Sequence, residues 1–333
     1  MSVSISPLWR TQVTELFGTR YPIWLAGMGG VSMAPLVAAV SNAGGLGVIG
    51  AATLDAERLR REIRKTRELT DRPFAVDLLA PSPEMIRPHL GVLFEEQVKI
   101  FVAGLGVPRE FIAQMHDHGM KVVVMIGKVA HAIRAEEAGA DAVVAQGTEA
   151  GGHTGEIGGV ALIPQTCDAV RIPVLAAGGI VDGRGIAGAM ALGAQGVVIG
   201  TRFIASAEAT AAPSYKAAIV RAADDSTVRT RCYTGKPART IRNPYVAELE
   251  RDPSKIQSFP QQVAFSARQG VMDYAGLRGD CDPQKSFMPA GQGSGAIHDL
   301  QPAGDIFGSL VEETERVVAD RFGTGASGTT ARP

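Results

Sequence analysis

The stretch QGTEAGGHTGEIGG (146–159), followed by AAGGIVDGRG (176–185) and VIGTRF (198–203), decides the fold. Each of these glycine-rich loops directly follows a short apolar run: DAVVA (141–145), PVLAA (173–177) and QGVVI (195–199). A buried strand that ends in glycines before a helix lets backbone N–H groups face an anion. Three such ends in succession predict a phosphate-bearing ligand at one mouth of a parallel sheet. One loop also carries a histidine, His153.

Working outward, the same unit repeats. Apolar runs at 21–26, 46–50, 73–79, 99–103 and 121–126 bring the candidate strands to eight. Continuous apolar runs of this length fit a parallel sheet covered on both sides. The segments between them read as helices. Residues 55–69 open with Asp55, a capping residue, and 128–138 stop at Gly139. Residues 182–192 run from Asp182 to Gly193, and 34–42 end before Gly44. Eight βα units with right-handed crossovers predict an α/β fold, a (β/α)8 TIM barrel, over a doubly wound open sheet. The barrel is expected to span 1–222. Regularity fails after that, so 223–290 reads as an inserted, partly helical subdomain after the eighth strand. Residues 291–322 are expected to pack back on the barrel, with 323–333 as a disordered tail.

Composition excludes several classes. The 333 residues are 45% hydrophobic and 20% charged, as in ordinary globular proteins. A net charge of −1 gives no pull toward nucleic acid or a membrane surface. No apolar run reaches the ~18 residues of a membrane helix. Cys167, Cys232 and Cys281 are odd in number and widely spaced, so neither disulfides nor a zinc site is expected. These features, with no signal-like N-terminus, predict a cytoplasmic protein.

In a parallel barrel, ligands sit at the C-terminal ends of the strands, and phosphate favours the last two loops. Here those loops supply Gly178, Gly179, Gly200 and Thr201. His153 follows Gly151 and Gly152, where little bulk screens it, and an imidazole there suits general base work. Asp77 lies inside an apolar strand and needs a partner or a ligand, such as the N–H of a bound heterocycle. Gln146 and Glu149 end a strand, either facing a ligand or anchoring the loop. In the first loop, the backbone N–H of Met28 is of more interest than its side chain.

These motifs together resemble the nitronate monooxygenase family, formerly 2-nitropropane dioxygenase: GMGGVS (27–32), SNAGGLGVIGA (41–51), GTEAGGH (147–153), PVLAAGGIVDGRG (173–185) and LGAQGVVIGTRF (192–203). The resemblance covers about 15–222 and, weakly, AGQGSG at 290–295. That family also includes FMN-dependent enoyl-ACP reductases and related CoA-thioester reductases. The resemblance implies a barrel with non-covalent FMN. Its phosphate would lie on Gly178, Gly179, Gly200 and Thr201, and its ring against Ala26, Gly27, Met28 and Gly29. Asp77, Gln146, Gly151, Gly152, Gly291 and Gln292 would complete the cofactor site. His153 matches the family's active-site histidine. No metal is implied.

The chain departs from the family pattern at three places. Asp77 stands where many members have Asn, the first loop is small, and Met125–Gly127 replaces a more polar stretch. The leading expectation is oxidation of alkyl nitronates with O2 through a flavin semiquinone. The alternative is NAD(P)H-dependent reduction of an unsaturated acyl-CoA or acyl-ACP thioester, for which the Arg-rich 223–243 segment fits a phosphate-bearing carrier. A flavin-binding protein without catalysis is the third reading. The partners implied are small molecules, with a homodimer admitted but not specified.

Overall fold

The computed structural model describes residues 6–273, 275 and 279–323. In chain order the strands are β1 (Ile23–Leu25), β2 (Gly47–Gly50), β3 (Phe74–Leu79), β4 (Ile100–Gly104), β5 (Lys121–Ile126) and β6 (Ala142–Gln146). There follow β7 (Gly152–His153), β8 (Val174–Ala177), β9 (Gly196–Ile199), β10 (Thr227–Thr230) and β11 (Ala238–Ile241). Eight of them form one parallel sheet in the order β2-β3-β4-β5-β6-β8-β9-β1. A single parallel bridge, Trp24 to Leu46, closes the last seam. There the Leu25 N–H donates to the Leu46 carbonyl at 2.9 Å. The expected (β/α)8 barrel is therefore present.

Strand alternation explains both faces. Trp24, Val48, Ala75, Val102, Val123, Val144, Leu175 and Val198 share the barrel interior. Their neighbours Leu25, Ile49, Val76, Phe101, Val124, Val143 and Val197 pack outward against the helices. Phe17, on the N-terminal helix Gln12–Phe17, meets Trp24 edge-on at 4.8 Å and plugs the bottom. The caps act as the sequence predicts. Asp55 accepts the Arg58 N–H at 2.8 Å, and Asp182 accepts the Gly185 N–H at 2.9 Å. Gly139, at φ +95°, ends the helix Val129–Glu137 in a conformation that favours glycine.

Beyond β9 the chain holds the helices Pro244–Glu250 and Gln261–Arg268, together with the hairpin β10–β11. That hairpin was not expected. Its strands, TVRT and ARTI, carry charge and lack an apolar run. β11 also pairs antiparallel with β7, so the loop after β6 becomes the third strand of a small sheet. Cys232, Tyr233, Ala238, Val246, Val271 and Phe287 form a separate small core. The C-terminal helix Ala303–Phe322 lies on the helices Gly183–Ala191 and Ala34–Asn42. Glu313 on it accepts the Gly183 N–H at 2.8 Å. The expected tail, past Gly323, lies outside the described residues. Among the described residues no helix is long and apolar enough to cross a membrane.

Candidate active site

Continuing the inward alternation by one step builds the barrel's C-terminal mouth. It brings Ala26, Gly50, Asp77, Gly104, Met125, Gln146, Ala177 and Gly200 inward, above the packed interior. Most of these are glycine or alanine, and the first-loop backbone packs down on them: a Cβ on Gly50 would stand 2.3 Å from the Met28 backbone. A Cβ on Gly200 would stand 3.4 Å from both Ala26 Cβ and Met28 Sδ. The polar members are Asp77 and Gln146. Neither side chain has a hydrogen-bond partner among the described residues.

Asp77 is 7% exposed, with its carboxyl pressed against bare backbone. A Cβ at Gly27 would stand 2.5 Å from Asp77 Oδ2. Burial alone pushes the Asp77 carboxyl up to about 8.

The loops after β8 and β9 form a cradle. Gly178 and Gly179 adopt φ +106° and +71°, which favour glycine. The N–H groups of Gly178, Gly179, Gly200 and Thr201 donate to no acceptor among the described residues. Four free N–H groups on adjacent loops are the donor set a phosphate requires. In the next helix, Glu313 and Asp182 take the N–H groups of Gly183 and Gly185. Thr201 Oγ1 accepts the Gly291 N–H at 3.0 Å, which leaves its own hydrogen to donate.

Other expected residues sit differently. The Met28 N–H is taken by Ser32 Oγ at 2.8 Å, so its side chain is what faces the mouth. Gly291 and Gln292 spend their N–H groups on Thr201 Oγ1 and on the Glu149 carbonyl, the latter at 2.8 Å. They stitch the 290–295 segment to the loops after β6 and β9. Gly151 allows that seam, since a Cβ there would meet the Ala290 backbone at 2.8 Å. Glu149 is an anchor: both carboxylate oxygens accept the Gly159 N–H, at 2.9 and 3.0 Å, at the start of the helix Gly159–Ala169.

Pairing of β7 with β11 carries His153 to the wall of the mouth, opposite Ala238. Its Nε2 lies 3.0 Å from Thr234 Oγ1. That hydroxyl directs its proton to the Lys236 carbonyl at 3.1 Å, so the bond from the imidazole runs Nε2–H to Oγ1. Nδ1 is then the unprotonated nitrogen, with no partner among the described residues. Burial, and secondly the Lys236 ammonium, pushes the His153 imidazole down to about 4. At neutral pH it is an uncharged acceptor beside a cation. Thr234 and Lys236 were not anticipated, because an irregular segment gives no motif to mark them.

Arg229 and Arg239 face each other across β10 and β11. Arg239 Nε donates to the Thr148 carbonyl at 3.0 Å and Arg229 Nη1 to the Gly155 carbonyl at 3.1 Å. Both arginines thus grip the His153 loop. Among the described residues no group of three or more His, Cys, Asp or Glu is placed to hold a metal.

This geometry defines a (β/α)8 barrel whose C-terminal mouth is the candidate site. The family model for nitronate monooxygenase matches residues 10–313, and the chain belongs to that family of flavin-dependent oxidoreductases. It is 42% identical, over 91% of its length and 95% of the relative's, to the (3aS,4S,5R,7aS)-5-hydroxy-7a-methyl-1-oxo-octahydro-1H-indene-4-carboxyl-CoA dehydrogenase of Rhodococcus jostii. The structure of FabK from Thermotoga maritima superposes with a TM-score of 0.85 at 37% identity, covering 93% of this chain and 98% of that one. Nitroalkane oxidase from Streptomyces ansochromogenes superposes with a TM-score of 0.83 at 33% identity, covering 92% and 99%.

Proposed function

We propose that this chain is an FMN-dependent oxidoreductase acting on a CoA thioester. The observation that carries the cofactor is the cradle of free N–H groups at Gly178, Gly179, Gly200 and Thr201. They would hold the phosphate, with the ring against the first-loop backbone from Ala26 to Gly29, which lies on Gly50. When bound, FMN supplies the acceptance and release of electrons and hydride that no side chain here provides.

The protein's own part centres on His153. Its uncharged Nδ1 takes a proton from a carbon acidified by a neighbouring carbonyl, or anchors that group by hydrogen bonding. Lys236, beside the imidazole, favours negative charge building up there. The low first loop leaves room for a bulky acyl group.

Support for the thioester comes from the Rhodococcus relative, whose name specifies a carboxyl-CoA substrate, at 42% identity over 91% of this chain. The cationic hairpin is consistent with it, with Arg242 exposed beside Arg229 and Arg239. Nitronate oxidation is the second reading, supported by the family model and by the Streptomyces nitroalkane oxidase. An uncharged base next to a cation also suits a nitronate anion.

Anaerobic mixing separates the two. The holoprotein is expected to bleach on addition of a saturated acyl-CoA, or of NAD(P)H with reoxidation by an enoyl-CoA. Bleaching by an alkyl nitronate alone, with no response to either thioester, reverses the order. A colourless protein that takes up no FMN removes both.

A further inference from the structure

We propose that Asp77 meets the cofactor as a neutral carboxylic acid, presenting one O–H donor and one C=O acceptor to the imide edge of the flavin ring. This rests on the FMN reading above. The polar edge of that ring runs carbonyl, N–H, carbonyl. An ionised carboxylate offers acceptors only, so it satisfies the N–H while repelling a carbonyl beside it. A carboxylic acid matches an adjacent N–H and carbonyl together.

Three observations place Asp77 for this role. It points inward at the barrel's mouth, one alternation step above Ala75 of the packed interior. It is 7% exposed and has no hydrogen-bond partner among the described residues, which is costly unless a ligand supplies one. Among the described residues, no charged group or hydrogen-bond donor acts on its carboxyl. β2 brings Gly50 beside it, β4 brings Val102 and Gly104, and the first loop brings Gly27. None of these is titratable, and burial is the one cause acting on its proton. With the free carboxyl already pushed up to about 8, the acid is the resident form at neutral pH. An amide at this position would present the same donor and acceptor at every pH. The acid makes the match depend on a proton.

The test is the affinity of apoprotein for FMN, followed by quenching of flavin fluorescence between pH 6.5 and 9.5, each limit about 1.5 pH units from the expected change. Wild-type affinity is expected to be flat up to about pH 8 and then to fall by up to about tenfold per pH unit. Asp77→Asn is expected to bind FMN with no such fall and to match or exceed wild type at the alkaline end. A fall shared by wild type and Asp77→Asn overturns the proposal, as does a wild-type affinity that stays flat or rises with pH. Should Asp77→Asn fail to fold, wild type decides through the infrared carboxylic-acid C=O band of the holoprotein at neutral pH. Its loss on raising the pH through the affinity change supports the proposal, and absence of any such band overturns it. If neither protein binds FMN at any pH, the cofactor reading itself fails and takes this proposal with it.

Discussion

The Nε2–H of His153 donates to Thr234 Oγ1 across 3.0 Å, joining the loop after β6 to the β10–β11 hairpin. This bond fixes which imidazole nitrogen faces the ligand. Replacing Thr234 with Val keeps the shape and removes the hydroxyl, so the ring loses its tautomer preference and its orientation. The expected result is FMN binding unchanged and kcat reduced roughly tenfold, whereas His153→Ala costs roughly 100-fold or more with FMN retained. Single-turnover flavin reduction measures both. Equal rates for wild type and Thr234→Val would show that the hydroxyl is only a packing group.

The pH profile follows from the same imidazole. Its pKa in the folded chain is pushed down to about 4, so the uncharged form persists well below the usual 6.5. The acid limb of kcat/KM is therefore expected near pH 4 to 5. Lys236→Met removes the second cause of the shift, and the limb should move upward while staying below 6.5. Linkage has a definite sign here. Between about 4 and 6.5 the unfolded chain binds the proton and the folded chain does not, so His153 makes the protein less stable as pH falls through that window. A limb at 6.5 in wild type would mean that the imidazole is solvated in the working enzyme.

Glu149 tests a structural assignment beside the site. Its carboxylate is the acceptor for the Gly159 N–H, at a helix whose own N-cap residue, Gly158, has no side chain to do so. A negative charge there also suits the helix dipole. Glu149→Ala is expected to lower stability by about 1–2 kcal/mol in chemical denaturation, and Glu149→Gln by less. No loss in either variant would place the anchoring of this loop elsewhere.

Much of this framework was legible because a parallel barrel buries both faces of its strands. The run KVVVMI was expected at 121–126 and forms β5 over that span. Asp55 and Asp182 announced their helices because a cap is a local device. The glycines after the last two strands were read as turns whose N–H groups face an anion, whereas nothing local marked what approaches the others. Gly178 and Gly200 leave N–H groups free, whereas Gly291 makes room for the Glu149 carbonyl. The hairpin was illegible for the opposite reason. Arg229 and Arg239 read as part of a segment suited to a phosphate-bearing carrier, yet Arg239 is 8% exposed, and its bonds reach Thr227 across the hairpin and Thr148, 91 positions away. The His153–Thr234 contact spans 81 positions and leaves no mark in either neighbourhood.

That arginine pair yields the last prediction. Like charges directly opposite on two strands repel, and burial with Arg229 as the next cause pushes the Arg239 guanidinium down. What offsets this is the grip on the loop: Arg239 Nε on the Thr148 carbonyl and Arg229 Nη1 on the Gly155 carbonyl, on either side of His153. Arg239→Met forfeits a charge-assisted bond of about 1.5–3 kcal/mol and removes a desolvated cation of comparable cost. Global stability should therefore change little, while the loop opens more often. Amide hydrogen exchange across 147–156 is expected to quicken, together with a fall in kcat larger than any change in FMN affinity. If exchange there is unchanged while FMN affinity drops, Arg239 is acting on the ligand rather than on the loop that carries His153.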